Sequence, residues 1–151
     1  MKITQNAWND IFDNIGNNPP EVGGILGASN DIVDNIVIDY GNSKNKLCSY
    51  SPNVDLLNLI IEKWQENFIE FKGIFHSHYF GVCNLSQGDK KYIETIMKAM
   101  PNYIRSLYFP IAVMPDRKLI IFKAYRYDNE SIEIEQENVE IVEGGILNDA
   151  K

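Results

Sequence analysis

The chain has 151 residues and a mass of 17.3 kDa, 44% hydrophobic and 23% charged, close to globular averages, so disorder, collagen-like repeats and a disulfide scaffold are excluded. No apolar run approaches the ~20 residues of a membrane span, and the opening MKITQNAWND has neither a basic cluster nor an apolar signal core. The net charge of -7 is concentrated in residues 127–151, which carry eight acids and one base, leaving residues 1–126 neutral with three scattered arginines (Arg105, Arg117, Arg126). A phosphate-tracking surface needs clustered Arg and Lys, so neither nucleic acid nor a membrane is an expected partner. With only Cys48 and Cys83 and no CxxC, the expected setting is a reducing cytoplasm with both thiols free.

No repeat or linker divides the chain, and one domain over 1–151 is expected, with 130–151 as an acidic C-terminal strand and tail. Trp8, Ile11, Phe12 and Ile15 recur at helical spacing behind the candidate cap Thr4, predicting a first helix over 4–16 that Gly16 and the following Asn17-Asn18-Pro19-Pro20 stop. Val22–Leu26 and Ile32–Tyr40 are apolar and β-branched around the turn 27–31, which predicts a hairpin. Ser51-Pro52 supplies a cap and a first-turn proline for a second helix over about 52–69, preceded by a short strand near Leu47–Tyr50. Phe71 to His78 reads as a strand, and Ser86 caps a third helix that Pro101 ends. Leu107–Val113 and Lys118–Tyr125 form a second hairpin, and the alternating segment 131–142 adds one last edge strand with a solvated acidic face. Helices on both sides of one mixed, twisted sheet would bury these faces, giving an α/β/α sandwich.

The only two histidines, His76 and His78, stand two apart at the end of a predicted strand, so both imidazoles face one side, which suits a metal ion. Ser86 and Asp89 follow at the start of the third helix, where the strand-loop-helix connection can bring the Asp89 carboxylate to the same ion. Two nitrogens and one oxygen leave a fourth tetrahedral position for water, the composition of a catalytic zinc site. Such water still needs a base, and Glu21, between Pro19-Pro20 and Gly23-Gly24, is the candidate, although from its residues alone it reads equally as a surface carboxylate; the Ser86 hydroxyl is a candidate donor to an oxyanion. Ser86-x-x-Asp89 is also a helix-capping signature, and Cys83 is either a plain loop thiol or a fourth ligand that closes the site.

The pattern His76-Ser77-His78, seven residues, Ser86, two residues, Asp89, with Glu21-Val22-Gly23-Gly24-Ile25-Leu26-Gly27 upstream, closely resembles the JAB/MPN metalloproteases, also called JAMM isopeptidases. The resemblance spans residues 4 to about 126 and implies that family's α/β sandwich, with a layering like that of cytidine deaminases. It places one zinc with its catalytic water on His76, His78 and Asp89, the acid/base role on Glu21 and oxyanion support on Ser86. The implied activity is hydrolysis of a peptide or isopeptide bond at the C-terminal tail of a ubiquitin-like or sulfur-carrier protein, with a ubiquitin-activating-like enzyme of the same pathway as a further partner. The tail is expected to lie extended across the strand ends beside Gly23–Gly27 and the loop 79–84, and main-chain pairing with an exposed edge would provide a sequence-tolerant grip. The rival expectation is a non-catalytic MPN-type scaffold with a structural zinc. Tyr79 stands where many members have Pro, Cys83 and Leu85 match the proteasome-lid and signalosome branch, and Asn84 replaces its Trp. The short stretch between Pro101 and Leu107 leaves no room for a ubiquitin-clamping insertion, which implies a compact prokaryotic type.

Overall fold

The structure is a computed structural model and describes residues 1–41, 50 and 52–143. Its elements in chain order are β1 (Lys2–Thr4), α1 (Gln5–Phe12), β2 (Gly23–Ser29), β3 (Ile32–Asp39), α2 (Val54–Glu66), β4 (Glu70–His78), α3 (Gln87–Ala99), β5 (Ser106–Tyr108), β6 (Ile111–Val113), β7 (Lys118–Arg126), β8 (Ile132–Glu137) and β9 (Glu140–Val142). One mixed sheet runs β5-β7-β6-β4-β2-β3-β1-β9, with β8 added to β7. Alternation along the central strands divides two cores. Leu26 and Phe75 face α1 with Ile3, Ile11 and Phe12, whereas Ile25 and Ile74 face α2 and α3 with Leu57, Trp64, Ile93 and Met97. The α/β/α sandwich expected from the sequence is therefore the observed architecture.

Several boundaries differ from the sequence reading. The first helix stops at Phe12, with Asp13 as its C-cap, and Ile15 continues the apolar rhythm from beyond the helix because it still plugs the α1-side core. The second helix is capped by Asn53, whose side chain accepts the Leu56 N–H, and not by Ser51-Pro52; Ser51 lies outside the described residues, as do Cys48 and all but Tyr50 of the proposed short strand. The stretch 107–113 is two strands, because Phe109-Pro110 interrupts it and proline has no N–H to give a ladder. The acidic segment is also two strands: β8 pairs antiparallel with β7, and β9 pairs parallel with β1. The sheet curls far enough that the chain passes between its two ends within residues 138–139. There the N-terminal ammonium donates to the Asn138 carbonyl (2.8 Å), and Glu140 N–H donates to Met1 O.

The three arginines are engaged internally. Arg126 is buried and donates to the carbonyls of Met100, Pro101 and Ile104, tying the α3–β5 connection to β7. Arg105 and Arg117 pair with Asp128 and Asp13.

Strand β4, which ends in the two histidines, is held by β2 on one side and by β5 and β6 on the other. At Gly73 the neighbouring backbone comes so close that a Cβ would be driven into the Tyr108 carbonyl. Backbone cannot step aside as a flexible side chain would. Gly73→Ala is expected to cost about 3 kcal/mol of stability, measured by denaturant unfolding; a change within about 0.5 kcal/mol would show that β5 yields.

Candidate metal centre

The centre forms where β4 ends and α3 begins. His76 and His78 emerge on one side of β4, both buried, while Ser77 and Tyr79 point to the other. Helix α3 starts with a reciprocal capping box. Asp89 N–H donates to Ser86 Oγ (3.0 Å), and Ser86 N–H donates to Asp89 Oδ2 (2.9 Å). The cap fixes the Asp89 carboxylate in front of the histidines, so the capping reading of Ser86-x-x-Asp89 is observed and the metal-ligand reading is compatible with it.

His76 Nε2 and His78 Nε2 are 3.1 Å apart, and they lie 3.2 Å and 3.1 Å from Asp89 Oδ1 and Oδ2. Tetrahedral zinc with ligands near 2.0–2.1 Å spaces its donors by about 3.3 Å; the two imidazole nitrogens are close to that spacing, and the Asp89 carboxylate sets a different oxygen against each of them. Orientation agrees. His78 Nδ1 is 3.2 Å from the Val82 carbonyl, which can only accept; Nδ1 therefore carries a proton, and Nε2 is the atom turned to the centre. Burial acts to raise the Asp89 pKa, but hydrogen bonds from His76 and His78 outweigh it and hold the carboxyl well below the usual carboxylate range. Burial acts to lower the His78 pKa, and the same Asp89 carboxylate outweighs that and raises it. The donor set of two imidazoles and a carboxylate fits zinc.

Glu21 faces this triangle across a cleft of about 410 Å³ lined also by Tyr50, His76, Ser86, Gly88, Asp89 and Tyr92. Burial raises the Glu21 pKa above its ordinary value, against the opposing pull of His76 and His78. A second cleft of about 390 Å³, bordered by Tyr79, Phe80, Val82 and Leu85, shares Glu21 and Ser86 with the first. The two therefore flank the centre. Cys83 lies outside the ligand triangle, its Sγ donating to the Gly81 carbonyl (3.3 Å), so it reads as the loop thiol.

Sequence reasoning left Tyr79 unassigned. Its ring turns inward, 5% exposed, and its hydroxyl donates to the carbonyls of Ile15 (3.0 Å) and Pro20 (3.3 Å), while Ser77 Oγ donates to it (2.8 Å) and accepts Val22 N–H (2.9 Å). These bonds moor the segment carrying Glu21 to the end of the histidine strand. Strand β2 is itself paired on both sides, with β3 and with β4 through Gly23–Ala28, so it offers no free edge. The two clefts open beside its end, at Glu21.

Fold and site together define an α/β protein of MPN-like architecture with a candidate metal centre at the β4–α3 junction. No protein-family model matches the sequence, and no curated protein matches it. Among solved structures, DSY2949 from Desulfitobacterium hafniense is similar with a TM-score of 0.70 at 17% identity, over 94% of this chain and 92% of that one. AF2198, a JAB1/MPN domain protein from Archaeoglobus fulgidus, is similar with a TM-score of 0.53 at 18% identity, over 95% of this chain and 100% of that one. A protein from Salinibacter ruber gives 0.55 at 18% identity, over 95% and 93%. At these identities the likeness is one of fold. Among the described residues no helix is long and apolar enough to cross a membrane.

Proposed function

We propose that this chain is a zinc-dependent peptidase or isopeptidase of the JAB/MPN metalloprotease kind. It would act in the cytoplasm on a peptide or isopeptide bond at the C-terminal tail of a ubiquitin-like or sulfur-carrier protein. The observation that carries this reading is the convergence of His76 Nε2, His78 Nε2 and the Asp89 carboxylate at a cleft whose other wall holds Glu21. His76, His78 and Asp89 would hold the zinc, which would supply Lewis acidity toward a carbonyl and water.

The chain's own groups do the rest. Glu21, its pKa raised by burial, takes a proton from water and passes it to the departing amine. Ser86 Oγ uses a lone pair on Asp89 N–H and keeps its own hydrogen for the oxyanion that forms on the substrate carbonyl. The two clefts meet at Glu21 and Ser86, so an extended tail would pass from one to the other with its scissile bond at the centre. Glycine-rich tails suit such a passage because they present little side chain.

The test is incubation of the zinc-loaded protein with carrier proteins extended beyond a C-terminal Gly-Gly by a peptide or by an isopeptide-linked lysine, followed by intact-mass spectrometry. Loss of the group beyond Gly-Gly, abolished by a chelator, is expected. Unchanged masses across both linkage types would contradict the proposal.

A further inference from the structure

Asp39 is a buried carboxylate, 3% exposed, that the chemistry above does not use. It is fully engaged: Oδ1 accepts Gly41 N–H (2.9 Å), and Oδ2 accepts the Tyr50 hydroxyl (2.8 Å) and Asn53 N–H (2.9 Å). Its place in the sheet explains the arrangement. Asp39, Gly23 and His76 form one row across β3, β2 and β4, and residues directly opposite in an antiparallel pair project to the same face. Asp39 and His76 therefore flank a gap where Gly23 has no side chain. The Tyr50 ring fills that gap, since a Cβ on Gly23 would lie 2.5 Å from two of its ring carbons. With its ring seated there and its hydroxyl on Asp39, Tyr50 presents its main-chain N–H to Glu21 Oε1 at 3.2 Å.

We propose that Asp39 is a positioning residue for Glu21: by pinning the Tyr50 hydroxyl it seats the ring over Gly23 and fixes the main-chain donor that aims the Glu21 carboxylate at the metal centre. The placement stands on hydrogen bonds alone, whereas its consequence for turnover rests on the hydrolytic reading above. Burial and the Asp39 hydrogen bond both raise the Tyr50 pKa, so the phenol remains a donor throughout the neutral range. Among the described residues no hydrogen bond of this relay ends on His76, His78 or Asp89, which separates aiming the carboxylate from holding the ion.

Tyr50→Phe keeps the ring and the N–H and deletes only the pin. On the zinc-loaded full chain two readouts decide. The first is hydrogen exchange of the Tyr50 amide by NMR, which needs no activity: protection is expected to fall about tenfold, the scale of one net hydrogen bond. The second is hydrolysis of a Gly-Gly-extended carrier. There kcat is expected to fall about tenfold with KM within about twofold and zinc content unchanged, and with little further loss when Glu21 is already Gln. Asp39→Asn, which retains the shape but turns a donor toward donors, should move both readouts the same way. An unchanged Tyr50 exchange rate in both variants overturns the placement. Faster exchange with unchanged kcat, or a loss equally large in the Glu21→Gln background, overturns the positioning role. If the wild type hydrolyses no carrier, the hydrolytic reading fails and the exchange data still decide the placement.

Discussion

Glu21→Gln is expected to bind one zinc per chain as wild type does, while hydrolysis of a Gly-Gly-extended carrier falls by about 10²–10⁴-fold, the usual contribution of a positioned acid/base. The substitution is nearly isosteric. Gln Oε1 can still accept the Tyr50 N–H, so the local structure is kept, and Glu21 is not one of the three residues whose ligand atoms converge. What disappears is a carboxylate able to take and return a proton. Burial has already raised its pKa toward the range where both steps are easy near neutrality. The check is kcat measured at saturating zinc, alongside zinc content from the same preparation. A variant that hydrolyses as fast as wild type would remove Glu21 from the chemistry, and one that loses zinc would make it a ligand.

His76→Ala is expected to weaken zinc binding by well over the roughly 10–100-fold that accompanies loss of an outer-shell partner, since it deletes one of three protein donors. It is a cleaner probe than Asp89→Ala. Asp89 also closes the α3 capping box, so its removal would add about 1 kcal/mol of helix-end instability to the loss of a ligand. Zinc binding should also appear as stability. At free zinc about a thousandfold above Kd, mass action adds about 4 kcal/mol to wild type, and chelation should remove it, whereas His76→Ala should melt at the same temperature with and without chelator. Calorimetric titration and paired melting curves measure both. Equal chelator sensitivity in the two proteins would place the metal elsewhere.

The His76, His78 and Asp89 cluster was legible because its geometry is short-range. His76 and His78 share a strand face by the two-residue period, and the Ser86–Asp89 start of α3 lies only a loop away. Glu21 could be placed only by resemblance, because its partners come from distant parts of the chain: Tyr50 N–H, and the Tyr79 and Ser77 contacts that moor residues 15–22. Asp39 gave no signal at all, since a buried carboxylate on an apolar strand becomes intelligible only when the cross-strand row Asp39, Gly23, His76 is known. The acidic segment misled for a related reason. Its alternation correctly marked β8, but nothing local shows that the sheet curls until its ends meet, letting the next residues join β1 as β9. Likewise the interior position of β2, paired on both sides, is a fact of topology that spacing does not carry.

The most direct test of the central claim is X-ray absorption at the zinc edge on the purified, zinc-loaded protein. One zinc per chain in a shell of nitrogen and oxygen, with the outer scattering of two imidazoles and no sulfur, is the predicted spectrum for an ion held by His76, His78 and Asp89. A sulfur neighbour would mean that a cysteine closes the site, and a spectrum unchanged in His76→Ala would mean that the ion is bound somewhere else.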